Sequence, residues 1–141
     1  GLAGGVREGR AGFSMIEALI VMVIIGILAA IAIPLYIGQR DRAKDAATRA
    51  GGRQIATALV LYVLDSDADD PWPTDCSPAT IGAYIVPQQW PANPFEDGGL
   101  MRTVTARSVG NYLYQRDTTG PEPRPYRLTV FLRRQADFIV P

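Results

Sequence analysis

Phe13 and Glu17 stand four residues apart, just ahead of a run from Ala18 to Gln39 in which no side chain is charged. A carboxylate at the head of such a run needs an answer. An acid at the centre of a bilayer costs on the order of 2.5–3.5 kcal/mol, less near the interface. A positive charge met in low-dielectric surroundings would offset that cost. Cleavage of the Gly12–Phe13 bond would create one, because the new α-amino group would lie four residues from Glu17. The protonated amine of one copy could then neutralise the carboxylate of its neighbour and set an axial stagger between packed helices. The simpler alternative leaves Glu17 at headgroup depth, facing water.

Other chemistry is thinly supplied. The chain has 141 residues, no histidine and a formal net charge of zero. The commonest general base and metal ligand is therefore absent, and no basic field invites nucleic acid. Cys76 is a lone cysteine, so it has no internal disulfide partner. It reads as a small, half-buried loop residue; a thiolate nucleophile would need a nearby base. Asp65, Asp67, Asp69 and Asp70 are spaced somewhat like a calcium loop. An EF-hand needs glycine at the sixth position and glutamate at the twelfth; these are Asp70 and Cys76, so the pattern fails and no metal ligands are assigned. No cofactor is expected.

The elements that must carry Phe13 and Glu17 follow from hydropathy. About 20 apolar residues suffice to cross a bilayer as a helix, and the Ala18–Gln39 run is long enough. Gly1 to Gly12 is hydrophilic and glycine-rich, with Arg7, Glu8 and Arg10. A conventional signal peptide, cut near Ala29-Ala30-Ile31-Ala32, would leave Glu17 unexplained. Within the apolar run Pro34 lacks an N–H and crowds the carbonyl of Ala30, which predicts a kink or loosening; Gly26 adds backbone freedom. Beyond Arg40, the positions Ala43, Ala46, Ala47, Ala50, Ile55, Ala58, Leu59 and Tyr62 recur at helical spacing. They predict an amphipathic helix continuing to about Leu64, with a possible bend at Gly51-Gly52. From Ser14 such a helix would run roughly 75 Å, and a small domain could cover only its second half.

A long Pro- and Asp-rich stretch follows, read as a wrapped loop over 65–100, with Ser77-Pro78 capping a short helix to Tyr84. Trp72, Trp90 and Phe95 are expected to anchor that loop on the core. Met101–Ala106, Val109–Gln115, Tyr126–Leu132 and Phe138–Val140 are predicted strands, joined in part by a turn-rich Asp117–Pro125 connection. The expected fold class is α+β, a long N-terminal helix packed on a small C-terminal antiparallel sheet. The expected divisions are 1–12, 13–38, 39–64, 65–100 and 101–141.

Ala-Gly-Phe-Ser-Met-Ile-Glu before an unbroken apolar run closely resembles the class III signal of type IV pilins and type II secretion pseudopilins. Gly12, Phe13, Ser14, Ile16 and Glu17 match that pattern, Met15 departs mildly from it, and Gly26 and Pro34 extend the match. The resemblance implies a pilin fold in which 1–12 is a leader. A prepilin peptidase would cut after Gly12 and methylate the Phe13 amine, and Glu17 would pair with a neighbour's Phe13 amine during assembly. It also implies that Gly26 to Pro34 can melt when subunits pack into a filament. The implied partners are other copies in a helical homo-oligomer, the peptidase, an inner-membrane assembly platform, and membrane lipid before assembly. The implied location is a single-pass inner-membrane precursor that becomes a cell-surface filament, periplasmic if a pseudopilus. WPANPF and GNYLY are similar to segments of pseudopilin-like major pilins.

These features favour a structural filament subunit over a bitopic membrane protein with a small binding domain, which does not require Gly12-Phe13 and Glu17. An enzyme is not expected, for want of histidine, a phosphate loop or paired acids in a pocket. A major pseudopilin would bring a calcium site near the C-terminus, whereas the tail FLRRQADFIVP offers only Asp137. Many pilins close that region with a disulfide, which Cys76 alone cannot form. The reading leans to a type IV pilus major subunit, with the pseudopilus as alternative.

Overall fold

In the computed structural model the described residues are 1, 12–68, 71–116 and 126–140. The chain divides into two units, Gly1–Gly38 and Gln39–Pro141. The elements are α1 (Met15–Asp65), α2 (Pro78–Ile81), a 3-10 turn (Gly82–Tyr84), β1 (Tyr112–Gln115), β2 (Arg127–Val130) and β3 (Phe138–Val140). This is an α+β protein, a long N-terminal helix with a three-stranded antiparallel sheet in the order β1-β2-β3.

Among the described residues of the first unit, nothing buries the apolar side chains of α1. Met15, Ile16, Met22, Leu28, Ile31, Leu35 and Tyr36 are all more than half exposed. The most apolar window of the helix is long enough to cross a membrane and is 0% buried. A helix apolar all round is at home only in lipid or among other apolar helices. Pro34 lies inside the helix.

In the second unit the core gathers Ile55, Ala58 and Leu59 of α1 with Ile81, Ile85, Met101, Tyr112, Leu128, Val130 and Leu132. Along β2, Leu128 and Val130 are buried while Arg127 is exposed, the alternation expected of a half-buried strand. Tyr112 faces Val130 across the β1–β2 ladder, and Leu128 faces Val140 across β2–β3.

The buried stripe of α1 differs from the expected one. Ala43, Ala46, Ala47 and Ala50 face outward, and Asp45, Thr48, Gly51, Gly52, Ile55, Ala56, Ala58 and Leu59 face inward. Gly51-Gly52 does not interrupt the helix; the pair permits close packing. A Cβ on Gly51 would lie 2.5 Å from the Met101 sulfur and 2.9 Å from Pro91 Cβ, and one on Gly52 would collide with Val130 Cγ2. Gly52→Ala would gain about 1 kcal/mol of helix propensity and lose about 1–3 kcal/mol to overpacking. The expected result is a lower urea midpoint than wild type; a higher one would show that Val130 yields freely.

Met101–Ala106 is not a strand. Met101 and Val104 are three residues apart, the wrong period for one face of a sheet, and Arg102–Val104 pairs only locally with Tyr112. The strand expected from Val109 begins only at Tyr112, because Gly110 turns the backbone at φ +81°. The strand expected from Tyr126 to Leu132 is confined to Arg127–Val130. Ser77 holds the N-cap position of α2 without bonding its backbone. Its hydroxyl and that of Thr80 instead hold Asp75 below its ordinary carboxylate value. The Asp117–Pro125 connection lies outside the described residues.

Trp90 and Trp72 anchor the loop as expected. The Trp90 indole N–H donates to the Met101 carbonyl at 2.7 Å, and Trp72 lies on Tyr126 with ring centroids 4.8 Å apart. Phe95 is gripped by Lys44 and Arg133, 5.3 and 5.9 Å from the ring centre. WPANPF and GNYLY come together in space. Asn93 reaches the Val109 carbonyl and Asn111, both at 3.4 Å, and a side chain at Gly110 would strike Asn93.

Cys76 is fully buried, deeper than its sequence context suggested, and its carbonyl accepts the Tyr112 hydroxyl. Burial, then the nearby Asp75, pushes its thiol up to about 12 from 9.0. At pH 8 the thiolate fraction falls about a thousandfold relative to an ordinary cysteine. Alkylation by iodoacetamide should therefore be slower than in urea by at least that factor; comparable rates would place Cys76 at the surface. The raised value also stabilises the fold below pH 9. That contribution is lost as pH rises from 9.0 toward 12, because the unfolded thiol ionises first. Tyr112, raised above 10.0 by burial, acts in the same direction.

Candidate functional site

The residues singled out in the sequence lie at the start of α1. Gly12 and Phe13 precede the helix, and Phe13 is 73% exposed. The Ser14 carbonyl accepts the Ala18 N–H at 3.1 Å, which makes Ser14 the residue that opens the helix. Glu17 then falls in the first turn, on an exposed position. Its charge is favourable there, since the helix N-terminus carries a partial positive charge. Ser14 and Glu17 also have the S-x-x-E spacing of a capping box, a signal visible in the sequence that points to a second role for Glu17. Phe13 and Glu17 are thus one turn apart at the exposed mouth of an unburied apolar helix. Among the described residues Glu17 has no ion-pair partner within its own chain.

Gly26 sits in the middle of the apolar segment, where a side chain would meet open space. Among the described residues nothing needs a glycine there. Pro34 follows two turns later inside α1, and its missing N–H leaves the Ala30 carbonyl without a helical donor.

Two of the acidic residues considered for calcium, Asp65 and Asp137, have other occupations, and Asp67 is exposed. Asp65 accepts the Tyr84 hydroxyl at 2.6 Å, which holds that phenol above its ordinary value. Asp69 and Asp70 lie outside the described residues. Asp137 is engaged by Arg107, 3.1 Å from Nε and 3.1 Å from a terminal nitrogen, and by the Leu132 N–H at 3.3 Å.

Sequence reasoning missed Asp45. Its carboxylate is fully buried and accepts the backbone N–H groups of Arg133 and Arg134 at 2.8 and 3.0 Å. Asp41, four residues earlier, stands 3.7 Å from Arg133 and 3.5 Å from Arg134. The only sequence signal is an acid within an amphipathic helix, and the alanines at 43, 46, 47 and 50 point to a different face from the one that is buried.

Residues 8–33 match the family model for the prokaryotic N-terminal methylation motif. The chain is 40% identical over 62 residues to the type II secretion system core protein G of Pseudomonas aeruginosa, covering 44% of each chain. It is 36% identical over 102 residues to a type IV major fimbrial protein FimA of Dichelobacter nodosus, covering 70% of this chain and 65% of that one. A second FimA of that organism is 31% identical over 108 residues, covering 65% of this chain and 69% of the relative. The chain spans about half the length of several curated relatives it matches. No solved structure matches it.

An apolar N-terminal helix that the described residues leave unburied, opened by a methylation motif and followed by a small α+β unit, defines a filament-forming class of protein. The chain belongs to the family of type IV pilins and type II secretion pseudopilins. Its relatives are structural proteins.

Proposed function

We propose that this protein is the structural subunit of a type IV pilus filament. The observation that carries the reading is the apolar half of α1, 0% buried over its most apolar window, in a chain whose second unit has a core of its own. Lipid covers that helix in the precursor, and the helices of other copies cover it in the filament. The precursor spans the inner membrane once, with residues 1–12 on the cytoplasmic side. Prepilin peptidase cuts between Gly12 and Phe13 and methylates the Phe13 amine. An assembly platform then lifts the subunit out of the membrane. Glu17 enters the filament core, where the Phe13 amine of a neighbour neutralises it. Gly26 to Pro34 gives up helical bonds there, since Pro34 has already removed one and Gly26 lowers the cost of leaving the helix.

The test is the intact mass of protein recovered from filaments. A chain beginning at Phe13 and carrying one methyl group is expected. Extracellular protein that retains residues 1–12 would overturn the reading. The similarity to core protein G of Pseudomonas aeruginosa supports a second reading, the major pseudopilin of a type II secretion system. Deleting the gene should then abolish secretion of exoproteins while leaving surface fibres intact; the pilus reading expects the reverse.

A further inference from the structure

Immediately beyond the uncharged run, the fold assembles positive charge from two distant parts of the chain. Arg40, Arg42 and Lys44 are the first cations after Gln39. Arg133 and Arg134 join them because Asp45 grips their backbone and Asp41 stands beside their guanidinium groups. Both carboxylates of this region are therefore engaged. Arg133 and Arg134 still have side chains 57% and 50% exposed. Among the described residues neither Arg40 nor Arg42 has a carboxylate partner. Arg42, Arg134 and Gln135 line one open polar cleft of about 630 Å³. Two guanidinium groups and a carboxamide form a donor-rich site suited to a phosphate oxyanion.

Place in the chain selects the source of that phosphate. Arg42 follows Gln39 by less than one helical turn within α1, so whatever bilayer holds the apolar run brings its headgroups to this level. We propose that the Arg42–Arg134–Gln135 cleft binds the phosphate of an anionic phospholipid headgroup at the membrane surface from which the subunit is extracted. The proposal rests on the membrane-held precursor reading. The contact is electrostatic, so salt weakens it. It is surrendered when the subunit leaves the bilayer, and it adds to the work of extraction.

The experiment uses the full chain in nanodiscs of phosphatidylcholine, with and without a minor fraction of phosphatidylglycerol. Native mass spectrometry counts the lipids retained. Wild type is expected to keep phosphatidylglycerol selectively. Arg42→Gln with Arg134→Gln should lose that selectivity twenty- to thirtyfold, about fivefold per arginine. Arg102→Gln, at an exposed residue elsewhere that pairs with Glu96, should lose none. Equal retention by wild type and the double variant overturns the proposal. Saturable binding of inorganic phosphate in neutral discs that displaces phosphatidylglycerol overturns the lipid as ligand. Normal lipid retention by a double variant that no longer polymerises reassigns the patch to a contact between subunits. Failure of wild type to enter neutral discs at all would instead defeat the membrane reading, which separates the two failures.

Discussion

Glu17→Gln is expected to abolish surface filaments while the precursor accumulates in the membrane. Glutamine removes the charge and keeps nearly the same shape. It also keeps the N3 side chain that a capping box accepts, so the helix start opened by Ser14 survives. On the proposed pairing, what is lost is the answer to a neighbour's protonated Phe13 amine. Removing one partner of a buried pair costs about 3–5 kcal/mol, because the other charge stays buried and uncompensated. Per junction that is about two to three and a half orders of magnitude in subunit affinity. The measurement is the ratio of sheared surface protein to membrane protein, with circular dichroism of the purified variant as a check on helix content. Filaments of wild-type abundance from cells carrying the variant would show that Glu17 serves only to open the helix.

Asp45→Ala should have the largest effect on the second unit. The carboxylate is fully buried and satisfies two backbone donors, those of Arg133 and Arg134. Alanine leaves both unanswered and frees the connection between β2 and β3 from α1. A loss of about 2–4 kcal/mol is expected, which for a unit of this size lowers Tm by roughly 10–20 °C. Asp45→Asn keeps one acceptor oxygen and should lose about half as much. The readout is the near-UV signal of Trp72 and Trp90 during thermal melting of the full chain in detergent. A Tm close to wild type for the alanine variant would mean that water takes the place of the carboxylate.

Much of the candidate site was legible before any folding was considered. Gly12, Phe13 and Glu17 are close in sequence, and an apolar run long enough to span a bilayer is a property of one uninterrupted window. Neither depends on how the rest of the chain packs. The alternation along β2 was legible for the same reason, since Leu128 and Val130 point one way whatever partners they meet.

Features that depend on distant residues were not legible. Alanine is compatible with either face of a helix, so Ala43, Ala46, Ala47 and Ala50 could not say which side packs; the sheet chose Asp45, Thr48 and the two glycines. Gly51-Gly52 resembles a weak point until Met101 and Val130 arrive within reach of a Cβ. Asp45 is separated from its donors by 88 and 89 positions, and no local pattern predicts that meeting. The run at Met101 has the composition of a strand, yet it meets Tyr112 only through an isolated bridge at Thr103. By itself, then, the sequence determined the apolar helix and the placing of Phe13 and Glu17 at its mouth, because both are encoded within a few turns. Only the tertiary structure decided which face of α1 is buried and which arginines stand together beside Asp41 and Asp45, because closeness of approach exists only once the sheet has packed.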